Sequence, residues 1–116
     1  MSPVSDACLF CRIVAGEIPA EVVATTDDAI AFRDVNPQAP LHVLVVPRTH
    51  VPDVAALADA EPATVAGMVS LARQVATDEG HDSYRLVLNT GGDAGQTVFH
   101  AHLHVLAGRA LTWPPG

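Results

Sequence analysis

Val98-Phe99-His100-Ala101-His102-Leu103-His104-Val105-Leu106-Ala107 reads as a last long β-strand in which histidines and apolar residues alternate. In a strand every second side chain shares a face, with neighbours about 6.6–6.8 Å apart. His100, His102 and His104 therefore line one face, while Ala101, Leu103 and Val105 take the other and fit a core. A lone histidine would read as a solvated residue, but three in register form a chemical surface. Imidazole is neutral or charged near pH 7 according to its surroundings, so it serves as nucleophile, acid, base or metal ligand. At this point two chemistries stay open, phosphate contact and metal binding through the three histidines themselves.

The segment just before that strand bears on the choice. Asn89-Thr90-Gly91-Gly92-Asp93-Ala94-Gly95-Gln96-Thr97 supplies small residues, backbone amides and side-chain donors, the makings of a loop that cradles an oxyanion. Taken alone it is an ordinary glycine-rich connection. Beside a histidine face it favours phosphate.

Further upstream, Leu41 to Val46 (LHVLVV) is a β-branched run closed by Pro47, predicting a central buried strand bracketed by His42 and His50. Glu21–Thr25 and Ala29–Arg33 flank Thr26-Asp27-Asp28 as a hairpin, and Ser83–Asn89 is a further strand. Pro62 to Glu79 is the one long amphipathic helix, with Val65, Met68, Val69, Ala72, Val75 and Ala76 at three- and four-residue steps. Pro62 suits its first position and Gly80 its C-terminal cap. Cys8 to Ala15 predicts a short helix, stopped by Gly16 and Pro19. Five strands joined by hairpins, with one long and one short helix, give an α+β fold built on an antiparallel sheet. The tail Leu111–Gly116 cannot extend a sheet interior and is expected to dock on something.

Composition bounds the function. At 116 residues the chain is expected to form a single domain over 1–116, and 49% hydrophobic residues against 16% charged ones predict a packed, largely aliphatic core. Thirteen acids face six bases for a net charge of −7, and all six bases are Arg. Without Lys there is no Walker loop and no Schiff-base chemistry, and without a basic face no nucleic acid or membrane partner is expected. Met1–Asp6 lacks the features of a signal peptide, and no apolar run reaches the roughly 18 residues of a membrane helix, so a soluble, cytoplasmic protein is expected. In a reducing compartment, Cys8 and Cys11 in a C-x-x-C pair point to metal or redox chemistry.

His100-Ala101-His102-Leu103-His104-Val105-Leu106 has the H-φ-H-φ-H-φ-φ form of the histidine triad superfamily, which the chain resembles over nearly its whole length. The likeness runs from Leu9-Phe10-Cys11-Arg12-Ile13 and Gly16-Glu17-Ile18-Pro19, through Phe32-Arg33-Asp34-Val35 and Pro37-Gln38-Ala39-Pro40-Leu41-His42, to the triad. Trp113-Pro114-Pro115-Gly116 resembles the Hint branch, the purine nucleoside phosphoramidases; Gly95-Gln96-Thr97-Val98 is also similar to the fragile histidine triad branch.

The resemblance implies a homodimer whose sheet continues across a two-fold axis, and hydrolysis at the α-phosphate of a purine nucleotide. It makes His102 the nucleophile forming a nucleotidyl-histidine, with His104 and the loop donors Asn89, Gly95 and Thr97 holding phosphate oxygens, Gln96 among the nucleotide-binding residues, and His42 in support. Asp34 would bind ribose hydroxyls, Leu9, Phe10, Ile13, Phe32 and Val35 would wall the base, and Trp113 would reach toward the partner's site. Arg33 stands where Hint proteins often carry His, and Thr97 where that branch commonly has Ser. The likeness to bacterial triad proteins also implies a structural zinc on Cys8, Cys11, His50 and His100, a closed set with no catalytic metal. Dinucleoside polyphosphate hydrolysis and a nucleotide-binding adaptor are the alternatives.

Overall fold

The computed structural model describes residues 7–116, so Met1–Asp6 and the leader reading made on them lie outside the described residues. Helix α1 spans Leu9–Val14, followed by strands β1 (Val22–Thr25), β2 (Ala29–Arg33) and β3 (Leu41–Pro47). Helices α2 (Val54–Ala60) and α3 (Pro62–Asp78) come next, then β4 (Arg85–Val87) and β5 (Leu103–Ala107). The strands make one antiparallel sheet in the order β1-β2-β3-β5-β4. This is the α+β architecture expected.

Period-two alternation distributes the side chains between two apolar layers. Ala29 and Ala31 of β2, Val43 and Val45 of β3, and Leu103 and Val105 of β5 pack on one face against Leu57 of α2 and Met68, Ala72 and Val75 of α3. Ile30, Phe32, Leu44 and Val46 face the other way and meet Phe10 of α1. All seven residues of β3 are buried, which is why that strand reads as an apolar run interrupted only by His42. The predicted hairpin turn closes with Thr26 Oγ1 accepting from the Ala29 N–H at 3.1 Å.

Four elements differ from expectation. There are three α-helices among the described residues, not two. Helix α2 is seven residues long and starts at Asp53, whose carboxylate accepts from the Ala56 N–H at 2.8 Å. The core face of α3 is rotated from the one read by spacing: Thr64 and Leu71 are buried in it, while Val65 is only half-buried and Val69 is 42% exposed. Strand β4 is only three residues long, at the sheet edge.

Most consequential, β5 begins at Leu103 and not at Val98. Its partner β3 ends at Pro47, which has no N–H to offer, and the last paired residues are Val45 and Leu103. Beyond them the Ala101 N–H bonds to the Val51 carbonyl at 2.7 Å, so the chain before β5 is held by a loop instead of a ladder. Ala101 nevertheless joins the α2/α3 core as the alternation required.

Candidate functional site

A cavity of about 600 Å³ opens on the α1 side of the sheet, of a size that suits a small organic ligand. Leu9, Phe10 and Ile13 of α1, Phe32 of β2 and Leu44 of β3 form its apolar wall. Asp34 and Val35, just past β2, contribute to its lining, as do Gly95, Thr97, His102 and His104. Ten of the residues singled out in the sequence thus converge on one cavity. Ile18, Pro19, Ala20, Glu21, Arg33, Leu44 and Val98 also line it and were not assigned to a site there. Leu44 was within reach of the pattern, because it shares strand parity with His42; the stretch after α1 carries no periodic signal.

The histidine protons can be assigned from their fixed partners. His102 Nδ1 lies 2.7 Å from the His100 carbonyl oxygen, which can only accept, so Nδ1 bears the proton and donates it. The lone pair of His102 is then on Nε2. The ring is buried perpendicular to that of Phe10, at a centroid distance of 5.0 Å, and lines the cavity. The Gln38 N–H donates to His42 Nδ1 at 3.0 Å, which leaves the His42 proton on Nε2. That N–H donates to His104 Nδ1 at 2.9 Å, so His104 carries its own proton on Nε2. The Nε2 lone pair of His102 and the Nε2–H of His104 thus sit on neighbouring rings, 5.3 Å between centroids.

Burial favours the neutral form of His42 and His104. It pushes His104 down to about 4, helped by repulsion from His102 and His42 and opposed by Asp34. His42 is lowered by burial as well, against the opposing pull of Asp34. Asp34 Oδ2 lies 3.4 Å from His42 Nε2, but with a neutral ring this is a secondary contact beside the shorter bond to His104 and no ion pair. Asp34 Oδ1 accepts from the Asn36 N–H at 2.8 Å, which orients the carboxylate.

In the loop before β5, Gly91 and Gly95 take φ values of +86° and +96°, which L side chains rarely adopt. A short 3-10 turn, Gly92–Ala94, lies between them. Asn89 Nδ2–H donates to the Ala94 carbonyl at 2.7 Å. Gln96 is 4% exposed; it accepts from the Gly91 N–H and donates to the Pro52 and Val98 carbonyls. These two side chains brace the loop from within, leaving Gly95 and Thr97 as its cavity-lining members. Trp113 lies outside the cavity and is 84% exposed. The Arg33 side chain bonds Glu21 at 2.8 Å and Glu79 at 3.1 Å, tying the sheet edge to the end of α3.

The three histidines do not act as one set. His100, fully buried, turns Nδ1 toward Cys8 Sγ (3.4 Å), Cys11 Sγ (3.5 Å) and His50 Nδ1 (3.1 Å), and Cys11 Sγ is 3.1 Å from His50 Nδ1. Its Nε2–H donates to the Pro47 carbonyl at 2.9 Å, which fixes the tautomer with the Nδ1 lone pair facing the thiols. A tetrahedral zinc site with these donors has ligand atoms about 3.3–3.8 Å apart, so the four side chains fit such an ion with little adjustment. Asp34, His42 and His104 also bring donor atoms within 4.8 Å of one another. There the Gln38 amide holds a proton on His42 Nε2 between the donors, and the set is a hydrogen-bonded relay.

Comparison with known proteins agrees with this architecture. The HIT domain family model matches residues 15–111. An uncharacterised HIT-like protein of Synechocystis is 45% identical over 113 residues, covering 97% of this chain and 99% of its own length. The crystal structure of a HIT family hydrolase from Legionella pneumophila superposes with a TM-score of 0.90 at 45% identity, covering 94% of this chain and 99% of that one. A zinc-bound histidine triad family protein from Mycobacterium smegmatis superposes with a TM-score of 0.78 at 36% identity, over 89% of this chain and 76% of that one. Fold and cavity define an antiparallel α+β protein with the HIT hydrolase fold. The chain belongs to the HIT domain family.

Proposed function

We propose that the protein hydrolyses purine nucleoside 5'-phosphoramidates through a covalent intermediate on His102, in the manner of the Hint branch. The observation that carries this is the hydrogen bond from His102 Nδ1 to the His100 carbonyl, which presents an unprotonated Nε2 in a cavity with an apolar slot on one side and a glycine loop on the other. The slot suits a nucleobase, Asp34 the ribose hydroxyls, and Gly95, Thr97 and His104 Nε2–H the phosphate oxygens.

Nε2 attacks the α-phosphorus and the P–N bond breaks. The amine leaves, taking a proton from solvent, and His102 becomes an N-phosphorylated imidazolium whose Nδ1–H stays bonded to the His100 carbonyl. Water then attacks phosphorus and gives up a proton to solvent, the N–P bond of the intermediate breaks with its electron pair returning to Nε2, and nucleoside 5'-monophosphate is released from a neutral imidazole. Negative charge gathering on the phosphoryl oxygens meets the His104 donor and the loop amides.

On the same reading Cys8, Cys11, His50 and His100 hold a structural zinc ion, which would cross-link α1 to the segment before β5 and take no part in the chemistry. The exposed Trp113 is assigned to a partner subunit's cavity in a homodimer, with the sheet continued across the two-fold axis. On this reading the protein acts in the cytoplasm. The test is AMP release from adenosine 5'-phosphoramidate by wild type and His102→Ala, without added metal. Release by wild type alone is expected. Equal release by both removes His102 from its role, and no release by either moves dinucleoside polyphosphate hydrolysis or an adaptor role ahead.

A further inference from the structure

The chain leaving β5 touches the β2–β3 connection more closely than any side chain would allow. Gly108 has φ +96°, and a Cβ there would lie 2.8 Å from Pro40 Cβ. One residue on, Arg109 Nε–H donates to the Gln38 carbonyl at 2.9 Å, while Nη1–H donates to the Ala110 carbonyl of its own segment at 3.1 Å. The Gln38 N–H is the group that donates to His42 Nδ1. Gln38 is therefore held on both sides, its carbonyl by the tail and its amide by the catalytic relay.

That amide sets the state of the relay from the Nδ1 side, while Asp34 Oδ2, 3.4 Å from Nε2, favours the same tautomer from the other. A neutral imidazole carries one proton, and the two tautomers are close in energy unless a neighbour chooses between them. With the Gln38 N–H set against Nδ1, the His42 proton stays on Nε2, and His104 Nε2–H remains a donor toward the cavity. If Gln38 moved away, His42 could carry its proton on Nδ1. His104 Nδ1 would then face a bare nitrogen, and the proton of His104 would move from Nε2 to Nδ1. A lone pair would then oppose the phosphate oxygens where a donor is needed.

We propose that Arg109 is a positioning residue for the His42–His104 pair: by anchoring Gln38 to the tail it holds both rings in the tautomers that make His104 an oxyanion donor. Arg109 is exposed and does not line the cavity, so it acts through Gln38 and touches no substrate. Gly108 belongs to the same device, because its close approach to Pro40 sets the distance over which Arg109 reaches. The segment after β5 is thereby part of the catalytic geometry. It rests on the phosphoramidate reading for its kinetic readout only.

The test compares wild type, Arg109→Ala and Arg109→Lys by ¹⁵N NMR of the histidine side chains, with the kinetics of adenosine 5'-phosphoramidate hydrolysis alongside. Wild type is expected to show His42 protonated on Nε2 alone. Arg109→Ala is expected to show a mixture of tautomers at His42 and His104, with kcat down about tenfold and KM changed less than about twofold. Lys, which can still donate once to the Gln38 carbonyl, is expected to restore most of both. A His42 proton on Nδ1 in wild type overturns the proposal, and so does an Arg109→Ala protein with unchanged tautomers. If wild type hydrolyses nothing, the phosphoramidate reading fails, and the tautomer comparison still decides the role of Arg109.

Discussion

His104 shows how one half-buried ring ties stability to pH. Its pKa is held near 4 by burial, against an ordinary value near 6.5, so the unfolded chain takes up a proton that the folded one refuses. The contribution is fully present above pH 6.5, declines as pH falls toward 4, and is flat below that. A difference of this size is worth on the order of 3 kcal/mol. The urea midpoint is expected to drop between pH 7 and pH 4.5, and to drop less in His104→Gln; equal drops in the two proteins would place the lost stability elsewhere. His42 shifts in the same direction for the same reason and adds to the effect.

Helix α2 is the element that sequence periodicity passed over, and its cap explains both why it exists and how to test it. Val54–Ala60 (VAALADA) buries only Val54 and Leu57, too few apolar positions for a helical period to stand out in seven residues. What fixes its start is the Asp53 carboxylate on the Ala56 N–H. Asp53→Ala is expected to lower stability by about 1 kcal/mol, read from chemical denaturation, while leaving kcat and KM unaltered, since α2 packs on the face opposite the cavity. A large kinetic change would contradict that separation of faces. By contrast α1, β2, β3 and α3 were legible nearly to the residue, because Gly16, Pro40, Pro47, Pro62 and Gly80 punctuate them.

At the scale of the whole molecule the Cys8–Cys11–His50–His100 cluster joins parts of the chain that are far apart in sequence, Cys8 and His100 by 92 positions. Cys8 caps α1, and the same helix supplies Leu9, Phe10 and Ile13 to the cavity wall. His100 in turn offers its carbonyl to His102. With zinc in the cluster as proposed, its removal by a chelator, or Cys8→Ser, is therefore expected to weaken AMP binding about tenfold. By linkage, AMP should raise zinc affinity by the same factor. Calorimetric titration of AMP into the metal-loaded and stripped protein checks the first; AMP affinity independent of metal would make the cluster a remote staple. Metal content should fall with Cys8→Ser and stay constant with His102→Ala.

The alternation His-Ala-His-Leu-His-Val determined by itself which residues of this segment enter the α2/α3 core and which face away, because side-chain direction along an extended chain is a local property. Proline and glycine positions set most element boundaries for the same local reason. The sequence also carried the family resemblance on which the roles of individual residues were first drawn. Only the tertiary structure decided that the three histidines part company, His100 turning to Cys8, Cys11 and His50 while His102 and His104 line the cavity. It alone showed Asn89 and Gln96 bracing their loop, and it alone assigned the ring protons. A tautomer is chosen by whichever donor or acceptor the fold brings to each nitrogen, here the carbonyls of His100 and Pro47 and the amide of Gln38. Two of these three partners lie outside the triad segment, and long-range packing brings them to the rings.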